Sequence, residues 1–174
     1  MNAVVVYESH WGNTALVARA IAAGLGPDTP VLATDEATGP ILADADLIVA
    51  GAPVIAFRLA TDSMRENIAH DADGGPSKPD LTHPSMRDWL GGIPAGTGVA
   101  AAFETRLHWS PGGVTGAIEH GLQTAGYRRL AKGRKFFVTG RYGPLRDGEL
   151  EAARAWGSAL AQAMQAGAGV AASR

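Results

Sequence analysis

The sequence predicts an α/β protein, a doubly wound five-stranded parallel sheet in the order 2-1-3-4-5 with helices on both faces. Short apolar runs alternate along the chain with longer stretches whose apolar residues recur at helical spacing. Alternation of this kind sandwiches a parallel sheet between two helical layers. Five strand-like runs within 174 residues suit the smaller doubly wound order better than a six-strand dinucleotide fold.

Residues 4–7 are continuously apolar, as expected of a strand covered on both faces. Residues 13–25 place Leu16, Val17, Ala20, Ile21 and Leu25 at helical spacing. A weak strand is expected at 30–33 and a strong buried one at 46–51. Residues 62–70 read as a helix with Thr61 or Asp62 as N-cap. Residues 71–83 are polar and rich in Gly and Pro, a loop of a length that usually carries function or mobility. Pro84 is expected to be the first residue of a short helix over 84–90. Residues 98–103 form the fourth expected strand. A helix follows over 114–125, closed by Gly126 in left-handed backbone. The last strand is expected at 135–139 and the last helix at 147–164, with Glu149 and Glu151 near its positive end. Residues 1–166 are thus expected to form one domain and 167–174 a flexible tail.

Composition narrows the chemistry. There is no cysteine, which removes thiol catalysis, disulfides and Cys-ligated metals. Fifteen Lys and Arg against 17 Asp and Glu give a net charge of -2, without the basic excess of a nucleic-acid or membrane-surface binder. The chain enters its first strand at once, with no basic leader, and no apolar run reaches the ~18–20 residues that span a bilayer. A cytoplasmic location is the expectation. The five histidines lack zinc-ligand spacing, and neither a Gly-x-Ser-x-Gly elbow nor a Gly-Lys-Ser/Thr phosphate loop occurs. Asp44 with Asp46, and Asp71 with Asp73, are best read as loop chemistry. His108 near Glu104 is the one conceivable acid–base pair.

In doubly wound folds ligands sit beyond the carboxyl ends of the strands, so four loops matter. The first, residues 8–14, leaves a buried strand and enters a helix, and its outward amides suit a phosphate. Ser9 and Thr14 add hydroxyls, Asn13 an amide, and Gly12 a tight turn; a plain helix cap is the bland alternative. The second, residues 51–58, offers Pro53 to fix a turn and Val54 and Phe57 as an apolar face, although Phe57 is as readily a cover for the sheet. The third, residues 103–113, is long and mixed aromatic and polar. The fourth, residues 140–149, reads as structural, with Trp156 anchoring the last helix. Among 23 glycines, Gly12, Gly51, Gly112 and Gly113 stand where a backbone must turn or approach a ligand closely.

Tyr7-x-Ser9-x-x-Gly12-Asn13-Thr14, followed by Val17-Ala18-x-Ala20-Ile21, resembles the flavodoxin family and its Ser/Thr-x-Thr-Gly-Asn/Thr-Thr loop. The segment Gly143-Pro144-Leu145 through Gly148-Glu149, Ala153 and Trp156-Gly157 resembles a recurring feature of small members of that family, as does the segment 84–90. The resemblance implies that the first loop holds the phosphate of FMN through Ser9, His10, Gly12, Asn13 and Thr14. Trp11 stands where the family has a threonine, which removes a hydroxyl and sets a large aromatic beside the ligand. The resemblance further implies that Ala52, Pro53, Val54 and Phe57 face one side of the flavin. Phe103, Glu104, Thr105, Arg106 and Trp109 would take the other side and the pyrimidine edge. Arg106 is either a positive charge near the flavin N1 or a partner of Glu104 or Asp88.

The function so implied is an FMN-binding redox protein, an electron carrier or a small NAD(P)H- or quinone-type oxidoreductase. Its partners would be a redox protein or a small electron acceptor, and a homodimer is an open option. Carriers of this family usually show an acidic docking face. Arg58, Arg106, Arg141 and Arg146 in three of the four loops disfavour one here and tilt the reading toward an oxidoreductase. The alternative of another class is a binding module of the same fold that holds no flavin.

Overall fold

Apolar runs long enough to be buried on both sides make the centre of this protein. The computed structural model describes residues 1–70 and 77–172, with backbone only for 168–172. Asp71, Asp73 and the start of the expected loop 71–83 lie outside the described residues, as do 173–174 of the expected tail.

Strand β1 (Ala3–Tyr7) leads into α1 (Asn13–Leu25), β2 (Val31–Ala33), a short α2 (Gly39–Ala43) and β3 (Leu47–Pro53). Then come α3 (Asp62–His70), α4 (Met86–Gly92), β4 (Val99–Leu107), α5 (Thr115–Thr124), β5 (Arg128–Arg129), β6 (Arg134–Val138) and α6 (Glu149–Ala172). The sheet is parallel in the order β2-β1-β3-β4-β5, with β6 also paired to β4. Val5 stands between Val31 and Val49, and Val49 stands beside Ala101.

Side chains along the central strands alternate between two cores. Val4, Val6, Ile48 and Ala50 join Met86 and Trp89 of α4 and Ile118 and Leu122 of α5 on one face. Val5, Leu47 and Val49 join Val17 and Ile21 of α1 and Trp156 and Leu160 of α6 on the other. Trp156 is therefore the anchor expected of it.

Several boundaries differ from expectation, each for a local reason. Pro84 lies outside its helix, because Ser85 is the N-cap: its Oγ accepts from the Asp88 amide at 3.1 Å and donates to the Asp88 carboxylate at 2.6 Å. β4 does not stop at residue 103 but runs to Leu107. Its charged residues Glu104 and Arg106 sit two apart on one side and pair with each other at 3.0 Å. The expected last strand is β6, paired with the end of β4, and a two-residue β5 that was not expected precedes it, paired with the start of β4. Between them Gly133 donates to Glu119 of α5 at 2.8 Å, which turns the chain away from the ladder. α2 was not expected, and α6 continues to Ala172, beyond residue 164.

Helices α1 and α6 cross with their backbones almost touching. A Cβ on Gly157 would stand 2.1 Å from the Ile21 carbonyl oxygen, and one on Gly24 would stand 2.0 Å from that of Arg154. Gly51 likewise makes room for the Phe103 ring, 2.3 Å from where its Cβ would be, so it serves the core and not a ligand.

Gly157→Ala is therefore expected to lower stability by about 1–3 kcal/mol through overpacking, although alanine favours helix intrinsically. Gly116→Ala, in open space on α5, is expected to raise it by about 0.5–1 kcal/mol. Urea unfolding midpoints of the two variants check the pair.

Candidate functional site

The carboxyl ends of β1, β3, β4 and β6 surround a cavity of about 460 Å³. Its floor is the turn between β1 and α1. Gly12 takes a left-handed φ of 87° and, having no side chain, leaves the helix without a side-chain cap. The first helical hydrogen bond runs from the Leu16 amide to the Gly12 carbonyl at 3.0 Å, so the amides of Asn13, Thr14 and Ala15 have no helical acceptor. Asn13 donates to the Tyr142 carbonyl at 3.0 Å, and the hydroxyls of Thr14 and Thr105 meet at 2.7 Å. One hydrogen of that hydroxyl pair is left over for a ligand.

Beneath this turn lies a buried charge. Glu8 is 2% exposed and accepts from His10 Nε2 at 3.0 Å, from Arg65 at 2.6 Å and from the Met86 amide at 2.9 Å. Burial pushes its carboxyl up, but the His10 hydrogen bond, the Met86 amide and the neighbouring charges outweigh burial and hold it below the usual carboxylate range. A carboxylate only accepts, so His10 carries a proton on Nε2 and turns Nδ1 away from Glu8. That Nδ1 and the hydroxyl of Ser9 are buried and have no partner, and both residues line the cavity. Arg65 also donates to the carbonyls of Leu81 and His83, and the Asp80 amide donates to the His10 carbonyl at 2.8 Å. The segment from 80 to 83 is thus tied to the floor.

The rim is aromatic. Residues 55–58 form a two-residue turn closed by reciprocal bonds of 3.0 and 3.1 Å between Ile55 and Arg58. Both central residues have positive φ, 42° at Ala56 and 76° at Phe57, a conformation costly for residues other than glycine. The turn is held from β4's side, where Gly113 donates to the Phe57 carbonyl at 3.0 Å. It leaves Phe57 51% exposed at a cavity that Trp109, 74% exposed, also lines. Trp11 packs edge-on to His10 and Tyr142, with ring centroids 5.7 and 5.0 Å away.

Of the residues predicted for a cofactor, Ser9, His10, Trp11, Asn13, Thr14, Pro53, Val54, Phe57, Thr105, Arg106 and Trp109 line the cavity. Four do not. Gly12 shapes the turn, Ala52 and Phe103 are buried in the two cores, and Glu104 is committed elsewhere. Glu104 accepts from Arg106 and from the amides of Val114 and Thr115, at 3.0, 2.6 and 3.0 Å. Arg106 thereby takes Glu104 among the alternatives open in the sequence, and also donates to the Gly112 carbonyl at 2.8 Å. His108 makes no acid–base pair with Glu104; its ring lies 5.2 Å from that of Phe137. Sequence reasoning missed the wall from α3, namely Met64, Asn67 and Ile68, and also Arg141. The spacing of Met64 and Ile68 marks a helix face, but not what it faces. Among the described lining residues there is no carboxylate.

Known structures share this architecture. A flavodoxin from the domain Archaea is 22% identical, with 93% of this chain and 97% of that one covered at a TM-score of 0.61. Flavodoxin 2 from Bacillus cereus is 16% identical over 93% of this chain and 99% of that one, with a TM-score of 0.63. Megasphaera elsdenii flavodoxin, solved in its two-electron reduced state, is 18% identical over 92% and 98%, with a TM-score of 0.58. This chain has the flavodoxin fold. No protein-family model and no curated protein matches the sequence. Among the described residues no helix is long and apolar enough to cross a membrane.

Removing one donor from the buried cluster tests its weight. Arg65→Met is expected to cost about 3 kcal/mol at pH 7, because it leaves the Glu8 carboxylate short of a partner. A lowered carboxyl stabilises the fold above the ordinary value of 4.5 and loses that contribution as pH falls through its folded value. The gap between wild type and variant should therefore narrow as pH falls below 4.5, as followed by urea unfolding at successive pH values.

Proposed function

We propose that this protein binds FMN non-covalently and acts in oxidation–reduction. The observation that carries the reading is the pair of buried, unpartnered polar atoms, Ser9 Oγ and His10 Nδ1, at the open N-terminus of α1. Burying polar groups without partners is costly, and a phosphate at this turn would satisfy both together with the free amides. The hydroxyl lost at Trp11 has a counterpart in the His10 ring beside it. The absence of carboxylates from the described lining suits an anionic ligand, and the exposed Phe57 and Trp109 suit a flat aromatic one.

FMN, when bound, supplies one- and two-electron redox chemistry. The chain's own residues bind, orient and screen. Ser9, His10 and the amides of α1 hold the phosphate end. Phe57 and Trp109 offer apolar faces to the ring, and the strained turn at Ala56 fixes where Phe57 stands. Thr105 offers a hydroxyl shared with Thr14. Arg106 brings a positive charge already balanced by Glu104, so it adds hydrogen-bonding capacity with little net field.

Within redox roles, an oxidoreductase with a small-molecule acceptor fits better than a pure carrier. Met64, Asn67 and Ile68 extend the cavity beyond the four loops that the flavin would occupy, and the rim is basic at Arg58 and Arg141. A redox protein partner is the other option, and the cytoplasm is the proposed compartment.

Adding FMN to the purified protein is expected to quench flavin fluorescence at micromolar concentration and shift its visible bands. Phe57→Ala and Trp109→Ala should each weaken binding about tenfold, in line with the ~0.5–1.5 kcal/mol of an aromatic contact beyond area burial. No quenching at micromolar FMN overturns the flavin reading. Stopped-flow reduction by NADH or NADPH separates an oxidoreductase, which is reduced, from a partner-fed carrier, which is not.

A further inference from the structure

The Glu8–His10 pair beneath the anion-binding turn has a consequence for how that turn takes a phosphomonoester. His10 is 3% exposed, its Nε2 hydrogen is given to Glu8, and its Nδ1 has no partner. In the neutral ring Nδ1 is a lone pair, and a lone pair repels a phosphate dianion. The contact becomes attractive when one proton lies between them, carried either by the ring as an imidazolium or by the phosphate as P–OH.

We propose that this is a proton-coupled phosphomonoester site, in which binding takes up one proton from solvent and holds it between His10 Nδ1 and a phosphate oxygen. Glu8 is the positioning residue: it fixes the tautomer and the ring angle and balances the charge that the ring acquires. The inference rests on the phosphate-binding part of the proposed function and does not require a flavin.

The other charged groups around His10 leave this assignment in place. Arg65 of α3 reaches His10 only through Glu8. Arg106 of β4 and Arg141 of the last loop line the same cavity, and guanidinium groups keep their charge at every pH a folded protein tolerates. Asp80, whose amide meets the His10 carbonyl, turns its carboxylate to Thr82 and His83. The Thr82 hydroxyl, chiefly, holds that carboxyl below its usual value. His83 is clasped between Asp35 and Asp80 at 2.8 and 3.1 Å and does not line the cavity. Trp11 and the Met86 amide, the remaining neighbours, are uncharged.

The sign follows from the proton count. Above the second ionisation of a phosphomonoester, near ~6, the ligand is a dianion that brings no proton of its own to the bare Nδ1. The complex then holds one proton more than its separated parts, so binding weakens as pH rises, by up to about tenfold per pH unit.

The test is the dissociation constant of FMN, read by fluorescence quenching from pH 6 to 9, with riboflavin as the phosphate-free control. The expected result is a Kd that climbs with pH for FMN and stays level for riboflavin. His10→Gln should flatten the FMN slope, and a wild-type far-ultraviolet circular dichroism spectrum shows that the variant is folded. A level FMN profile in the wild type, or an equal slope for both ligands, overturns the proposal. If neither flavin binds, the flavin reading fails and inorganic phosphate decides the remainder. Nitrogen-15 NMR of the wild-type histidines should then show the His10 Nδ1 resonance moving upfield on phosphate addition, far if the ring takes the proton and less if Nδ1 accepts from P–OH. Unchanged His10 nitrogens in that titration overturn the proton coupling.

Discussion

Burying a carboxylate at the end of a central strand costs several kcal/mol unless charge and hydrogen bonds compensate it. Glu8 meets that condition with donors from three separate segments: His10 in its own turn, Arg65 on α3 and the amide of Met86 at the start of α4. Much else in this end of the molecule follows. The His10 ring cannot rotate without giving up its bond to Glu8, so its second nitrogen is aimed by the same contact that stabilises the acid. Arg65, once fixed on Glu8, also donates to the carbonyls of Leu81 and His83, which brings residues 80–83 against the turn. The turn between β1 and α1, the α3 wall and residues 80–83 thus share one anchor.

The sheet order explains why the anchor lies where a ligand can use it. β1 and β3 are neighbours, and the chain leaves them toward opposite faces, into α1 on one side and toward α4 and α5 on the other. A crevice opens at such a reversal because the two connections diverge. At its floor α1 begins on a glycine with φ 87°, which gives a sharp turn and contributes no capping side chain. A serine or aspartate there would satisfy the helix end internally. This chain instead leaves that end open to the cavity.

Much of this was legible in the sequence, and the exceptions have physical reasons. Helices at 13–25 and 62–70 came out at their expected bounds, because a strong apolar period and clear punctuation coincide there. β4 was cut short because Glu104 and Arg106 look like the start of a loop. Only the folded strand shows that the two neutralise each other on one face. Ser85 with Asp88 three residues on is a capping pattern, and it starts the helix at Met86, two positions after Pro84. The four loops were legible because a parallel sheet presents its carboxyl ends together. The α3 wall was not, since the direction a crossover helix faces depends on packing. Glu8 gave no local signal either, as its arginine stands 57 positions away. Glycines proved legible by position but not by role: Gly12 makes the turn into α1, whereas Gly51 yields to the ring of Phe103, and Gly24 and Gly157 bring α1 and α6 together.

Two acid–base clusters flank the cavity, and their difference sets the direction in which a ligand must lie. At β4, Glu104 takes three donors, and Arg106, which also donates to the carbonyls of Leu107 and Gly112, balances its charge, so no buried polar side-chain atom of that pair is left without a partner. At β1, Glu8 is equally well supplied, but the cluster ends in a nitrogen and a neighbouring hydroxyl that nothing satisfies. An unpaired buried polar group costs more than a paired one yields, so the free energy available to a ligand is concentrated at the Ser9–His10 end. A ligand with one anionic terminus would therefore gain most by setting that charge on α1, whereas the reverse orientation would leave Ser9 and His10 as unpaired as before.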